Sequence, residues 1–488
     1  MSHASPEIPT AEARHEDRID PAKLKMLIGG ELVDGAAHVP VADPATGEVV
    51  ASVPVADEAQ VNAAIAAARE AFPAWRSTPW EQRVEVLNRL ADAIEANADE
   101  LARVIVLEQG KPYSGAHDDV IWSALWTRYF AGLRLDPDVV RDDEQARTEV
   151  HHEPLGVVAA ITPWNFPFFQ AVYKIAPAIL AGNTVVLKPA PTTPLNALYL
   201  GALLNDIVPA GVVNVVTDDG SIGRILTSHP DVAKVSFTGS TATGKSVMKS
   251  AADTLKRVTL ELGGNDAALI LDDADLDKTL PEIFKWAFSN NGQVCISIKR
   301  IYVHSSIYDE VCSRLAAMAR QVRLGHGLDD GTELGPLQNQ RQFDNAKAAL
   351  EQAAKDGSVI AGGAPLEGDG FFVPPTLVRD ISNDSVLVRE ETFAPIRPIL
   401  KFDTDEEALA LANDTRYGLG NSVWSRDIDR AIALANRLES GTTWVNAHFV
   451  LAPDVPFGGS KQSGMGFEFS RDGLLQFTDT RVVHVEKG

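Results

Sequence analysis

The chain has 488 residues, with 67 acidic against 44 basic side chains and a formal charge of −23. Its length predicts two or three domains at about 150 residues each, and its 45% apolar content is that of an ordinary globular protein. The acidic balance argues against a nucleic-acid binder, which needs a basic face to replace phosphate counterions, but it permits a phosphate-bearing cofactor held by backbone N–H groups.

Residues 1–22 are polar and lack the apolar core of a signal peptide, which predicts a mobile tail. No run of about 20 apolar residues occurs, so no membrane span is expected. MLIGGELVD over 26–34 predicts a hairpin turning at Gly29 and Gly30. Val61, Ile65, Ala68 and Phe72 share one face of a helix over 56–75. Leu87, Leu90, Ala91 and Ile94 mark a second helix, and the segment 112–115 is expected to end the helical stretch.

From His151 short β-branched runs alternate with helical segments. Strands are expected over 157–161, 184–187, 212–216 and 234–237, with helices near 171–180, over 195–206, after Gly220 and over 241–255. The alternation predicts a parallel, doubly wound α/β sheet, which binds ligands at the carboxyl ends of its strands. A second α/β run follows Glu261, with helices over 276–289, 308–322, 342–356 and 406–413 and strands over 301–304 and 443–446. A last strand over 477–485 is placed to pair with a partner subunit.

GSTATGKS over 239–246 matches the phosphate-binding P-loop pattern, and ALILD over 268–272 resembles the apolar strand that ends in a magnesium-binding aspartate. On this motif alone, a P-loop hydrolase and a chance match both stay open. Either places backbone N–H groups and a helix N-terminus against phosphate.

Only Cys295 and Cys312 are present, so a disulfide scaffold is excluded and a reducing cytoplasm is the expected location. Cys312 borders a helical stripe of Ile307, Val311, Leu315, Met318 and Val322 and reads as core. Cys295 lies on a glycine-bearing connection, FSNNGQVCISIKR over 288–300. A lone loop cysteine is more often structural, but this one has company. Glu261 ends a strand and enters Gly-Gly in LELGGND, a place suited to a general base or, alternatively, to an ion-paired surface carboxylate. Asn165 sits between prolines in PWNFP, placed as an oxyanion donor or as a turn residue capping its own backbone.

These segments occur with KPA at 188–190, FTGS at 237–240, EETF at 390–393, YGLG at 417–420, GTTWVN at 441–446 and PFGGSKQSGMGFE at 456–468. Together, over 28–483, they resemble the NAD(P)-dependent aldehyde dehydrogenase superfamily, and a P-loop protein has no reason to carry the set. The resemblance implies that Cys295 attacks an aldehyde to give a thiohemiacetal. Asn165 and the cysteine's own N–H would hold the oxyanion, and Glu261 would activate the water that hydrolyses the resulting thioester. It places Lys188 and Glu391 on the two riboses of NAD and Phe393 beside the nicotinamide. Ile161, Thr162, Pro163, Trp164, Gly220, Phe237 and Leu262 would line the cofactor groove, with Gly239 and Ser240 opening the helix that faces the pyrophosphate. No metal is implied. The implied fold is α/β, with a Rossmann-like cofactor domain over 23–134 and 154–260 and a catalytic domain over 261–455. A small bridging β element over 135–153 and 470–488 would build homodimers or homotetramers.

Four positions depart from the family pattern. Pro191 stands where many members carry a glutamate that holds the adenosine ribose and repels a 2′-phosphate, so NADP use is open. Ala394 replaces a usual glycine, and Asn265 a common lysine. Tyr173 stands where members acting on succinic semialdehyde carry arginine. Phe168, Phe169, Tyr173, Val294, Ile296, Phe449 and Phe457 are expected to line an apolar channel for a medium-sized aliphatic or aromatic aldehyde. A CoA-acylating enzyme is the close rival, and Glu261 argues against it because a base for water would then be dispensable.

Overall fold

The computed structural model describes residues 19–488. Its largest sheet has eight strands in the order Glu31–Val33, Met26–Ile28, Val213–Val215, Thr184–Lys188, Val157–Ile161, Val232–Thr238, Arg257–Glu261, Gly464–Met465. The five from Val213–Val215 to Arg257–Glu261 are parallel, and the additions at either edge are antiparallel. VVAAI and TVVLK, two of the central strands, are buried along their whole length. A parallel sheet is covered by helices on both faces and leaves no polar side to alternate with. From Val157–Ile161 the chain steps through Thr184–Lys188 to Val213–Val215, then returns to lay Val232–Thr238 on the opposite flank. That reversal of direction opens a crevice at the carboxyl ends of Val157–Ile161 and Val232–Thr238.

The second sheet has seven strands in the order Ser358–Ala361, Thr376–Arg379, Ile396–Phe402, Ile298–His304, Asp266–Ile270, Gly420–Trp424, Thr442–Val445. All are parallel except the Ser358–Ala361 edge. The carboxyl ends of the first sheet meet the amino ends of the second. Trp164, Thr238 and Gly263 lie at or just past the ends of first-sheet strands, and they share one cavity with Cys295 and Glu391, which precede second-sheet strands.

A third, antiparallel sheet joins Asp138–Asp142, Ala146–Pro154 and the C-terminal strand Thr478–Glu486. The C-terminal strand runs along Ala146–Pro154 from Thr478 opposite Pro154 to Glu486 opposite Ala146, and exposes Val482 and Val485. Among the described residues no helix is long and apolar enough to cross a membrane.

Two expectations change. The segment 112–115 does not end the helical stretch. Gly110, at φ +89°, stops helix Ala98–Gln109 as a left-handed cap whose N–H bonds to the Val106 carbonyl, and Pro112 is the N-cap of a further helix, Tyr113–Ala131. A proline closes the element before it, yet it also suits the first positions of a new helix. The expected tail over 1–22 lies mostly outside the described residues, and its last part is tied down. Pro21–Lys23 form a 3₁₀ turn capped by Asp20, whose N–H donates to the Tyr199 hydroxyl at 2.7 Å.

Candidate active site

Helix Leu276–Phe288 is followed by three left-handed residues, Asn290, Asn291 and Gly292, at φ 50°, 53° and 74°. Asparagine tolerates this region better than most side chains, and at 292 a Cβ would also lie 2.5 Å from the Ala394 carbonyl oxygen. The run turns the chain and delivers Cys295 just ahead of strand Ile298–His304. Val294 and Ile296 are buried on either side of the half-buried Cys295. Burial pushes the Cys295 thiol up to about 12; Lys299 opposes this, while Glu391, Asp266 and Glu261 add to it. Such a thiol is a weak nucleophile until its proton is removed.

Asn165 is buried on the turn between strand Val157–Ile161 and helix Pro167–Leu180. Its Nδ2 donates to the Gln293 carbonyl at 3.0 Å, its Oδ1 accepts from Gln170 at 3.2 Å, and its backbone carbonyl accepts from Asn290 at 3.1 Å. The amide is therefore clamped to the cysteine loop and does not cap its own turn. One amide hydrogen is left over for the cavity.

Glu261 is 3% exposed, and among the described residues neither carboxylate oxygen has a hydrogen-bond partner. It is therefore neither a surface residue nor half of an ion pair. Burial first, then Glu468, pushes its carboxyl well above the usual range; Lys174 opposes, but that lysine is paired to Glu468 at 2.6 Å. A buried, unpartnered carboxylate is costly and unusual, and such groups cluster at functional sites. The Gly-Gly that comes next has a steric reason as well, since a Cβ on Gly264 would lie 2.5 Å from the Cys295 carbonyl oxygen.

These segments enclose a cavity of about 120 Å³. Pro163, Trp164, Asn165 and Gln170 wall one side, Thr238, Gly239, Ser240 and Leu262 another, and Cys295, Glu391 and Phe393 the third. Phe393 meets Trp164 edge-on at 5.4 Å. A Cβ on Gly239 would lie 2.6 Å from the Phe237 ring, so the turn packs directly on that ring. Ser240 then caps the twelve-residue helix Thr241–Ala252. The Thr162 and Thr238 hydroxyls are buried without partners. A helix N-terminus beside orphaned polar atoms fits a phosphate-bearing, hydroxyl-rich ligand such as a dinucleotide.

The aldehyde dehydrogenase family model matches residues 32–483. The chain belongs to the aldehyde dehydrogenase family. It is 41% identical over 482 residues to phenylacetaldehyde dehydrogenase of Pseudomonas fluorescens, covering 94% of this chain and 95% of that one. Human retinaldehyde dehydrogenase 3 is 39% identical over 458 residues, covering 91% and 89%. An aldehyde dehydrogenase structure from Bacillus cereus superposes with a TM-score of 0.93 at 38% identity, over 95% of this chain and 97% of the other. Betaine aldehyde dehydrogenase of Staphylococcus aureus in complex with NAD+ gives 0.93 at 33% identity, over 95% of each chain. The fold is thus the aldehyde dehydrogenase fold.

Within this member of the family, Lys188 is buried and pairs with Asp218 at 2.7 Å. Asp218 sits just past strand Val213–Val215, and its other oxygen accepts the Ile222 N–H at 3.2 Å. Gly220, at φ +104°, lies in open space on the same loop. Ile161 ends its strand beside the crevice. The groups of the P-loop look-alike are engaged elsewhere. Lys245 donates to the Gln462 side chain at 3.0 Å, Asp272 pairs with Arg430 at 2.7 Å, and neither lines the cavity.

A second cavity of about 470 Å³ is lined by residues that include Lys111, Trp122, Phe166, Phe284, Lys285, Trp286, Phe288, Asn290 and Phe449, and Asn290 also donates to the Asn165 carbonyl. Trp286 stacks on Phe449 at 4.6 Å. Phe449 is the one expected channel residue that lines it. Phe169 and Tyr173 instead join Trp126 and Phe469 in an aromatic cluster, with the Tyr173 hydroxyl donating to Gln170 at 3.3 Å. Phe457 stacks on Phe469, Phe168 is wholly buried, and neither lines either cavity. The reason is that helix Pro167–Leu180 is buried on every side, so its rings pack around the whole circumference. Trp122, Phe166, Gln170 and Trp286 escape the sequence reading. Trp122 lies on the helix hidden by the misread Pro112, and the others carry no pattern that separates them from core.

Proposed function

We propose that the protein oxidises an aldehyde to the carboxylic acid with NAD+, through a thioester on Cys295. The observation that carries this reading is the cavity shared by Cys295, Asn165 and the cofactor-type groove, with Glu261 next in the chain to its wall residue Leu262 and close enough to act on the thiol. The Cys295 thiol gives its proton to water, and the thiolate adds to the carbonyl carbon as the C=O π bond opens, giving a thiohemiacetal whose oxyanion is held by Asn165 and the Cys295 N–H. When bound, the nicotinamide supplies the hydride acceptor. Glu261, with no partner to satisfy it, takes a proton from water as that water attacks the thioester. Water rather than CoA then resolves the intermediate, and turnover is expected with CoA omitted.

Lys188 and Glu391 would hold the two riboses, and Phe393 would pack by the nicotinamide. Asp218 supports NAD over NADP. It supplies at the Lys188 ribose position the carboxylate that Pro191 lacks, and it neutralises the buried Lys188. The expected result is tighter binding of NADH than of NADPH, with Asp218→Asn narrowing the gap by about tenfold or more as a repelling charge is lost. Fluorescence titration of both dinucleotides checks this, and an unchanged ratio in the variant rejects it.

The second cavity, walled by Trp122, Phe166, Trp286 and Phe449, supports an apolar, ring-bearing substrate. Phenylacetaldehyde, the substrate named for one relative, should therefore outperform succinic semialdehyde by about 10²-fold or more in kcat/KM, since the aromatic walls reward a ring, while of the lysines there Lys111 is paired to Asp119 and Lys285 lies over the Trp286 ring. NADH formation across an aldehyde panel decides it, and a preference for the charged semialdehyde would sink the substrate assignment. The three-stranded sheet, with Val482 and Val485 exposed, is the proposed bridge to a second copy of the chain.

A further inference from the structure

Lys299 has no part in the mechanism above, yet it is a buried cation directly behind the nucleophile. Its ammonium carries three donor hydrogens and meets three partners: the Val294 carbonyl at 2.8 Å, the Cys295 carbonyl at 2.5 Å and the Glu391 carboxylate at 3.2 Å. It also lies 5.7 Å from the centre of the Phe393 ring. Its side chain is 1% exposed, so these contacts are not shared with solvent.

This geometry has two effects. A trans peptide is planar, so its N–H points opposite to its carbonyl. By holding the Val294 carbonyl from behind, Lys299 sets the direction of the Cys295 N–H, the backbone oxyanion donor. Glu391 is held by the same ammonium and by the Gly264 N–H at 3.1 Å, so its position is set jointly with that of the cysteine loop.

We propose that Lys299 is a positioning residue that ties the cofactor-ribose carboxylate Glu391 to the Cys295 loop, making the reactivity of the thiol and the occupancy of the ribose site depend on one another. The proposal rests on the cofactor reading above. The charged groups around the thiol are Lys299, Glu391, Asp266 and Glu261. His448, bonded to the Ile296 carbonyl at 2.7 Å, is kept neutral by burial, which holds it down to about 3. Lys299 is the cation of that set and Glu391 its partner, so removing one or the other moves the thiol in opposite directions.

The test is the pH profile of Cys295 alkylation by iodoacetamide in the full chain, with NADH affinity measured alongside. Lys299→Met is expected to raise the alkylation midpoint by about one pH unit, read as a rate about tenfold slower at any pH below it, and Glu391→Gln to lower it by a similar amount. Lys299→Arg, which keeps the charge, is expected to recover most of the lost shift. Lys299→Met should also weaken NADH binding by about tenfold, because Glu391 loses a holder. A merely structural lysine would leave the midpoints alone or move both variants the same way, and either result overturns the proposal. If Lys299→Met does not fold, an unmoved midpoint in Glu391→Gln overturns it equally. Wild-type protein that fails to bind NADH would reject the cofactor reading, whereas normal wild-type binding with unshifted variants would reject only the coupling.

Discussion

Cys295→Ala is expected to lose aldehyde oxidation by about 10⁴-fold or more, the scale at which removing a covalent nucleophile leaves only binding and oxyanion stabilisation. The loss should be in kcat, with NADH binding close to that of wild type, because the thiol lies beside the groove and holds none of its polar contacts. The remaining cysteine gives a clean control. Cys312 is 1% exposed on helix Tyr308–Ala319, so native Cys295→Ala should take up no iodoacetamide while wild type takes up one equivalent. Steady-state NADH formation and mass spectrometry read the two effects. Near-wild-type turnover in the variant would remove the covalent mechanism.

Glu261→Gln is expected to separate the two halves of the reaction. Hydride transfer needs the thiohemiacetal and not the base for water, so one burst of NADH per site should appear and then stall. Steady turnover should fall by about 10²–10⁴-fold, the usual worth of a general base. The same residue sets a pH dependence. Burial holds its carboxyl well above the ordinary carboxylate range, and it acts as a base only when deprotonated. Wild-type kcat should therefore rise with pH along a limb lying well above that range, and the limb should vanish in Glu261→Gln. Stopped-flow traces at several pH values check both points. A variant with full steady turnover, or a wild-type limb at ordinary carboxylate pH, would assign the base elsewhere.

The sequence was most legible where local rules and tertiary packing agree. The residues 157–161 and 184–187 read as strands, and the structure has them as the buried strands Val157–Ile161 and Thr184–Lys188. The residues 477–485 read as a late strand and form one at Thr478–Glu486, but it pairs with Ala146–Pro154 of the same chain and not with a partner subunit. Agreement broke at Pro112, where one residue can close an element or open the next and only the surrounding chain decides. It broke again on helix Pro167–Leu180. Apolar rings there were expected in a channel, but a helix buried on all sides gives no face that marks which ring meets the ligand.

What the sequence determined by itself is the chemistry at single positions: a lone loop cysteine, a strand-end glutamate before Gly-Gly, an asparagine fixed between prolines, and the family to which that set belongs. These are readable because each depends on its own backbone neighbourhood. What only the tertiary structure decided is everything that depends on charge and distance between segments. The Lys188–Asp218 pair joins neighbouring strand ends of the first sheet, the Lys299 bridge to Glu391 joins neighbouring strand starts of the second, and Glu261 is left without a partner among the described residues at a first-sheet strand end. Desolvation and pairing act through space, and no order of residues along the chain states them.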